Sequence, residues 1–212
     1  MYRILFLLVL CFGCSNQEQP VSDLGDWLQI SGRTEGNSLE RQPIYRVKIP
    51  KGWIVQAYNA NEALEDTTKP LYEFVIPGNE GSIRITIHNF PSNKIEERTP
   101  PGAQVARWKG QFEKLDTCES CVTPQTFNGY CGALFKGIGT MQEKPMMMLA
   151  WAMQITPQHY RALSDDSPIH KQMRADFTIK AVGPEELMEQ YYKDIVEFAH
   201  SFELIEDVPA RS

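Results

Sequence analysis

Alternation of apolar and polar residues at a period of two is the feature that most restricts what this chain can fold into. "IYRVKIP" (44–50) alternates Tyr45, Val47 and Ile49 with Arg46 and Lys48, and Pro50 and the turn Lys51-Gly52 end it. "LYEFVIP" (71–77) repeats the pattern. After "PGNEGS", "IRITIHNF" (83–90) sets Ile83, Ile85 and Ile87 against Arg84, Thr86 and His88. Successive side chains of a strand point to opposite faces, so such runs form half-buried strands, and the last two predict a hairpin. The period then changes. "PPGAQVARWKGQFEKL" places Val105, Trp108, Phe112 and Leu115 at intervals of three and four behind Pro100-Pro101, an amphipathic helix over 101–115. Strands return with "GYCGALFKGIG", "MMMLAWAMQI" and "RADFTIKAV". A last helix over 184–202 opens at Glu185 and Glu186 and buries Leu187, Tyr191, Ile195, Phe198 and Phe202. Strands, helix, strands, helix is the order of an α+β domain: a mostly antiparallel sheet with two principal helices packed on it.

The N-terminus follows different rules. In "RILFLLVLCFGCSNQEQP" (3–20) one cation precedes an apolar run far shorter than the ~20 residues of a spanning helix. A basic start, a short apolar region and a small residue at the cut describe an export signal. Gly13-Cys14 resembles the lipobox of bacterial lipoproteins, although Cys11 and Phe12 stand where Leu and a small residue are usual. The resemblance implies cleavage before Cys14 and attachment to the membrane through diacylglycerol and palmitoyl lipid on that residue. Each buried CH₂ contributes about 0.8 kcal/mol, so several chains hold where one would not. The expected organisation is a signal peptide at 1–13, a polar tether at 14–40, one globular domain at 41–205 and a tail at 206–212. The formal charge of −6 becomes −7 once Arg3 is removed with the signal. An acidic chain with no basic run has no reason to bind nucleic acid, and "MMMLAWAMQI" has the length of a buried strand.

The element order resembles the PsbP-like α/β/α sandwich, a domain found among bacterial lipoproteins and photosystem accessory proteins. "VKIPKGW" (47–53), "ARWKGQF" (106–112) and "MLAWAM" (148–153) carry that likeness, which covers about residues 44–204. The whole chain is also similar to an uncharacterised chlamydial-type lipoprotein family. Both resemblances imply the fold and the anchor, and neither implies a catalytic residue.

Cysteines are the sharpest chemical candidates. "TCESCVTP" holds a C-x-x-C at Cys118 and Cys121, and Cys131 follows ten residues on. In an oxidising compartment the default is a structural disulfide between two of the three. A Cys118–Cys121 bridge closes a tiny loop, whereas a bridge to Cys131 would constrain more chain. A redox dithiol needs its first cysteine at a helix N-terminus after a strand, and here the motif follows a helix. Zinc would need a fourth ligand, and no histidine stands at ligand spacing.

His88 is expected on a solvated strand face and His200 near a helix end that favours a cation. No G-x-S-x-G, H-E-x-x-H or phosphate-binding glycine loop occurs. Asp165-Asp166 and Glu185-Glu186 read as a solvated loop and a helix start. Met146, Met147 and Met148 alternate faces, and Trp53, Trp108 and Trp151 are core residues. The leading expectation is an exported, lipid-anchored envelope protein, non-enzymatic, without metal or cofactor, binding an envelope component or protein partner. The alternative from another class is thiol–disulfide exchange or redox sensing by Cys118 and Cys121. A third is an envelope component joined by interchain disulfides.

Overall fold

The computed structural model describes residues 24–32, 43–57, 68–163 and 167–206. The strands are β1 (Leu24–Ser31), β2 (Pro43–Pro50), β3 (Ile54–Ala57), β4 (Tyr72–Gly78), β5 (Gly81–Phe90), β6 (Lys114–Leu115), β7 (Cys121–Phe127), β8 (Tyr130–Met141), β9 (Lys144–Ile155), β10 (Asp176–Pro184) and β11 (Glu203–Leu204). The helices are α1 (Pro101–Lys109), α2 (Pro157–Ala162), α3 (Pro168–Met173), α4 (Glu185–Gln190) and α5 (Tyr192–His200), with a 3₁₀ turn at Ile95–Glu97. Eight strands make the main sheet in the order β3-β4-β5-β10-β9-β8-β6, and β7 pairs with β8 alongside β6. A small sheet, β1-β2-β11, stands apart from it. Every described pairing is antiparallel. The domain is therefore α+β on a mostly antiparallel sheet.

Alternation decides what each face meets. Phe74, Ile76, Ile83, Ile85, Ile87, Trp151, Phe177 and Ile179 point into the larger core, where Tyr45, Val47, Ile195, Phe198 and Phe202 close over them from the small sheet and α5. Aromatic rings knit this side: Tyr45 stacks on Phe202 at 4.9 Å, and Phe177 lies 4.4 Å from Phe202. The opposite face carries a second core, in which Val105 and Trp108 of α1 pack with Phe112 on Phe135, Met148, Ala150 and Ala152. Met147 joins the first core and Met148 the second, as strand spacing requires. The β4–β5 hairpin turns at Asn79-Glu80, with Gly78 opposite Gly81.

Three expectations need correction. The 101–115 helix stops at Lys109; Gly110 caps it, Phe112 lies in the turn beyond and Leu115 belongs to β6. Phe112 still reaches the α1-side core, so the apolar period ran on past the helix that began it. The 184–202 helix is two helices that meet at Tyr191 (φ −99°, ψ 10°), and Met188 is fully buried where Leu187 and Tyr191 are only partly so. Residues 24–31, assigned by composition to the tether, form β1, because Ile30 is fully buried against β2. The sequence offers no pattern for β7, "CVTPQTF", whose residues 121–124 are exposed on both faces; only Gln125 and Phe127 are half-buried. Asp165-Asp166 and residues 207–212 lie outside the described residues.

Candidate functional site

A pocket of about 280 Å³ opens where the C-terminal ends of β5 and β9 meet the start of β10, and residues 90–104 wall it. Its floor is an ion pair. Arg98 follows the 3₁₀ turn and precedes Thr99-Pro100, whose extended backbone leads into α1 with Pro101 in the tolerated first turn. Asp176 is the first residue of β10. Arg98 Nε donates to both carboxylate oxygens of Asp176 at 3.1 and 3.0 Å, and Nη2 donates to Oδ1 at 2.6 Å. Both side chains are buried, 4% and 10% exposed.

The surroundings hold that pair in place. Arg98 Nη2 donates to the Ile155 carbonyl at 2.7 Å, and the Ile155 N–H donates to Asp176 Oδ1 at 3.2 Å. Gln154 Nε2 donates to Asp176 Oδ2 at 3.1 Å and to the Thr99 carbonyl at 3.2 Å. The Tyr160 ring lies 5.3 Å from the Arg98 guanidinium and 5.6 Å from that of Arg174, and its hydroxyl donates to the Ser92 carbonyl at 2.9 Å. Burial pushes the Asp176 carboxyl up from its ordinary value, against the downward pull of Arg98, Gln154 and the Ile155 N–H. Deeper in the core, burial also raises the Tyr130 phenol, with Tyr45 and Asp176 adding to the shift and Arg98 opposing it.

One polar atom on the wall is unused. Gln104 projects from α1, is 8% exposed and lines the pocket, and its Oε1 has no hydrogen-bond partner. The remaining wall mixes Thr178, Asn93 and Ser92 with Phe90, Pro101 and Met153. The pocket thus offers hydroxyl and amide groups, apolar surface and a charge pair that cancels itself. None of the four histidines lines it.

The residues singled out in the sequence lie elsewhere. Cys14 is outside the described residues. Cys118, Cys121 and Cys131 are all free; the first two are exposed. Cys118 sits in the turn before β7, where Asp116 Oδ1 accepts from the backbone N–H of Cys118 at 2.9 Å. Cys121 opens β7 opposite Lys136, whereas Cys131 stands opposite Thr126 at the other end of the hairpin. Five strand positions separate them, roughly 16 Å, and a disulfide requires Cα atoms within about 7 Å. A bridge from Cys131 to Cys121 would need the hairpin to come apart. No helix begins at the C-x-x-C, so the strand-to-helix setting of a redox dithiol is missing there.

Among the described residues no group of three His, Cys, Asp or Glu could hold a metal ion. His88 faces the Thr68 carbonyl at 3.3 Å and stacks on Phe90. His200 packs its ring 4.9 Å from Phe127 and meets Gln125 Oε1 at 3.1 Å; burial lowers its pKa, contrary to the expectation of a helix-end cation. Trp53, Trp108 and Trp151 are core residues. Sequence reasoning missed Arg98, Gln104, Gln154 and Asp176, which come from four separate segments and share no motif. The one available signal was Asp176, a carboxylate at the head of a strand that is mostly buried.

No helix among the described residues is long and apolar enough to cross a membrane. No protein-family profile matches the chain, and no curated protein does. Among solved structures the chain is similar to cyanobacterial PsbP from Synechocystis, at 12% identity over 76% of this chain and 86% of that one, with a TM-score of 0.47. It is similar to LpqN, involved in cell envelope biogenesis of Mycobacterium tuberculosis, at 11% identity over 76% and 82% of the two chains, TM-score 0.48. A Pseudomonas aeruginosa protein of unknown function, a putative regulator, is 12% identical over 79% and 92%, TM-score 0.38. At such identities and scores the likeness gives this chain no activity and no ligand.

Proposed function

We propose that this chain is an exported envelope lipoprotein, anchored through lipid on Cys14, whose domain binds a small polar ligand without transforming it. The observation that carries the binding reading is the lining of the pocket, which sets Gln104, Gln154, Thr178 and Asn93 amid apolar surface beside the fixed Arg98–Asp176 pair. Ligand pockets run from about 300 Å³ upward, so this one suits a small molecule. Arg98 and Asp176 neutralise each other, which disfavours a charged ligand and suits hydroxyl- and amide-bearing ones, such as an N-acetylated sugar or a short peptide backbone. The anchor reading draws on the export signal and Gly13-Cys14.

Saturation-transfer NMR with N-acetylglucosamine, its dimer and alanine tripeptide tests the binding reading. Transfer to at least one probe, lost in Gln104→Leu and kept in Lys144→Ala at the far end of β9, is expected. No transfer from any probe, or transfer that survives Gln104→Leu, overturns it. For the anchor, Cys14→Ser is expected to abolish palmitate incorporation and membrane retention; palmitate still incorporated would overturn that assignment.

A further inference from the structure

No run of the sequence is basic, yet pairing of β1 with β2 gathers a local basic and aromatic face. Alternation sends Leu28, Ile30, Tyr45 and Val47 toward the core. Trp27, opposite Lys48, is left on the outer side with Lys48 and Arg46. The Arg46 guanidinium lies 4.6 Å from the centre of the Trp27 ring and the Lys48 ammonium 5.1 Å from it. Trp27 is 42% exposed, whereas Trp53, Trp108 and Trp151 are 9%, 1% and 0% exposed. Glu203 pairs with Arg46 at 2.6 Å, and Lys48 has no carboxylate partner among the described residues.

We propose that this outer face of the small sheet, centred on Trp27 with Arg46 and Lys48, docks on the anionic phospholipid surface to which the chain is anchored. The proposal rests on the anchor reading above. Cys14 and Leu24 are ten residues apart, a reach of at most about 36 Å fully extended. The chain enters the domain at β1, so this is the face that the tether delivers first to the bilayer. A short tether also raises the local concentration to about the millimolar range, where a weak patch suffices. Indole with an apolar body and a polar N–H settles at headgroup level, and lysine and arginine stems lie along apolar surface while their charges reach phosphate. The chain as a whole is acidic, so attraction to an anionic surface has to come from local cations such as Lys48 and Arg46.

The test uses the full lipidated protein reconstituted into vesicles of phosphatidylglycerol with phosphatidylcholine, or of phosphatidylcholine alone, each carrying brominated lipid. Flotation reads the anchor, and quenching of tryptophan emission reads docking. Flotation on both vesicles is expected, with quenching confined to the anionic ones and abolished in Trp27→Phe. Lys48→Glu should lower the docked-to-undocked ratio about fivefold or more. Flotation without quenching overturns the docking and leaves the anchor standing. Equal quenching on neutral vesicles, or quenching that survives Trp27→Phe, also overturns it. A protein that does not float overturns the anchor and the docking together.

Discussion

Removing one partner of the Arg98–Asp176 pair should harm the fold far more than removing both. In Asp176→Leu the Arg98 guanidinium, 4% exposed, keeps its charge and loses its carboxylate. An uncompensated buried charge costs about 3–5 kcal/mol. For a domain of this size that lowers Tm by roughly 6–20 °C, at about 2–4 °C per kcal/mol. Arg98→Met should fall in the same range, since the Asp176 carboxylate is then stranded beside Gln154. The double variant Arg98→Met/Asp176→Leu leaves no charge to desolvate and should lie within about 2 kcal/mol of wild type. Burial raises the Asp176 carboxyl even with Arg98 beside it, so desolvation outweighs the attraction. The pH dependence follows from that direction. A carboxyl raised in the folded state contributes stability that is full below its unfolded value, about 3.9. That stability is lost as pH rises through the folded value, and Asp176→Asn should lack the slope. Urea melts of the four proteins at neutral pH measure the cycle. An interaction of at least about 3 kcal/mol is expected. Additive single effects, or a double variant less stable than either single one, would refute the argument.

Three other outcomes follow from the geometry. Cys118→Ser and Cys121→Ser, at exposed free thiols, should each change stability by less than about 0.5 kcal/mol; non-reducing mass spectrometry that found Cys131 bridged to either would contradict the β7–β8 register. His200 has a folded pKa below its ordinary value, so the stability it contributes is present above about pH 6.5 and is lost as pH falls through the lowered value. His200→Gln should flatten chemical melts across that acid limb, and an unchanged limb would refute the assignment. A Cβ at Gly132 would lie 2.0 Å from the Ala152 carbonyl oxygen of the neighbouring strand; Gly132→Ala should therefore destabilise by several kcal/mol, read as loss of hydrogen-exchange protection in β8 and β9.

What could be read without the structure divides by physical cause. β2, β4, β5, β9 and β10 were legible because each has one or both faces buried, and burial imposes the pattern on the residues. The helix from Pro101 was legible at its start, where proline marks the first turn, and illegible at its end, because Phe112 fills the same core from a turn as it would from a helix. The break at Tyr191 leaves no mark, since Tyr191 packs partly against the core on either reading. β7 follows no pattern because its first four residues are exposed on both faces. The pocket was illegible for another reason: Arg98, Gln104, Gln154 and Asp176 meet through sheet register, across up to 78 residues of chain. Hydrogen bonding that depends on register has no local spacing to detect.

The two margins of the main sheet are built in ways that resist lengthening. On one side β3 is four residues long, and on the other β6 contributes two and β7 carries Pro124 in its middle. A proline offers no N–H, and a short strand gives a neighbour little to grip. Under the proposed lipid anchor this matters more than it would in free solution. Copies confined to two dimensions meet edge to edge at high surface density, the geometry in which exposed strands zip into continuous sheets. Margins blunted in this way keep the sheets of neighbouring copies from joining, so that each keeps its own fold.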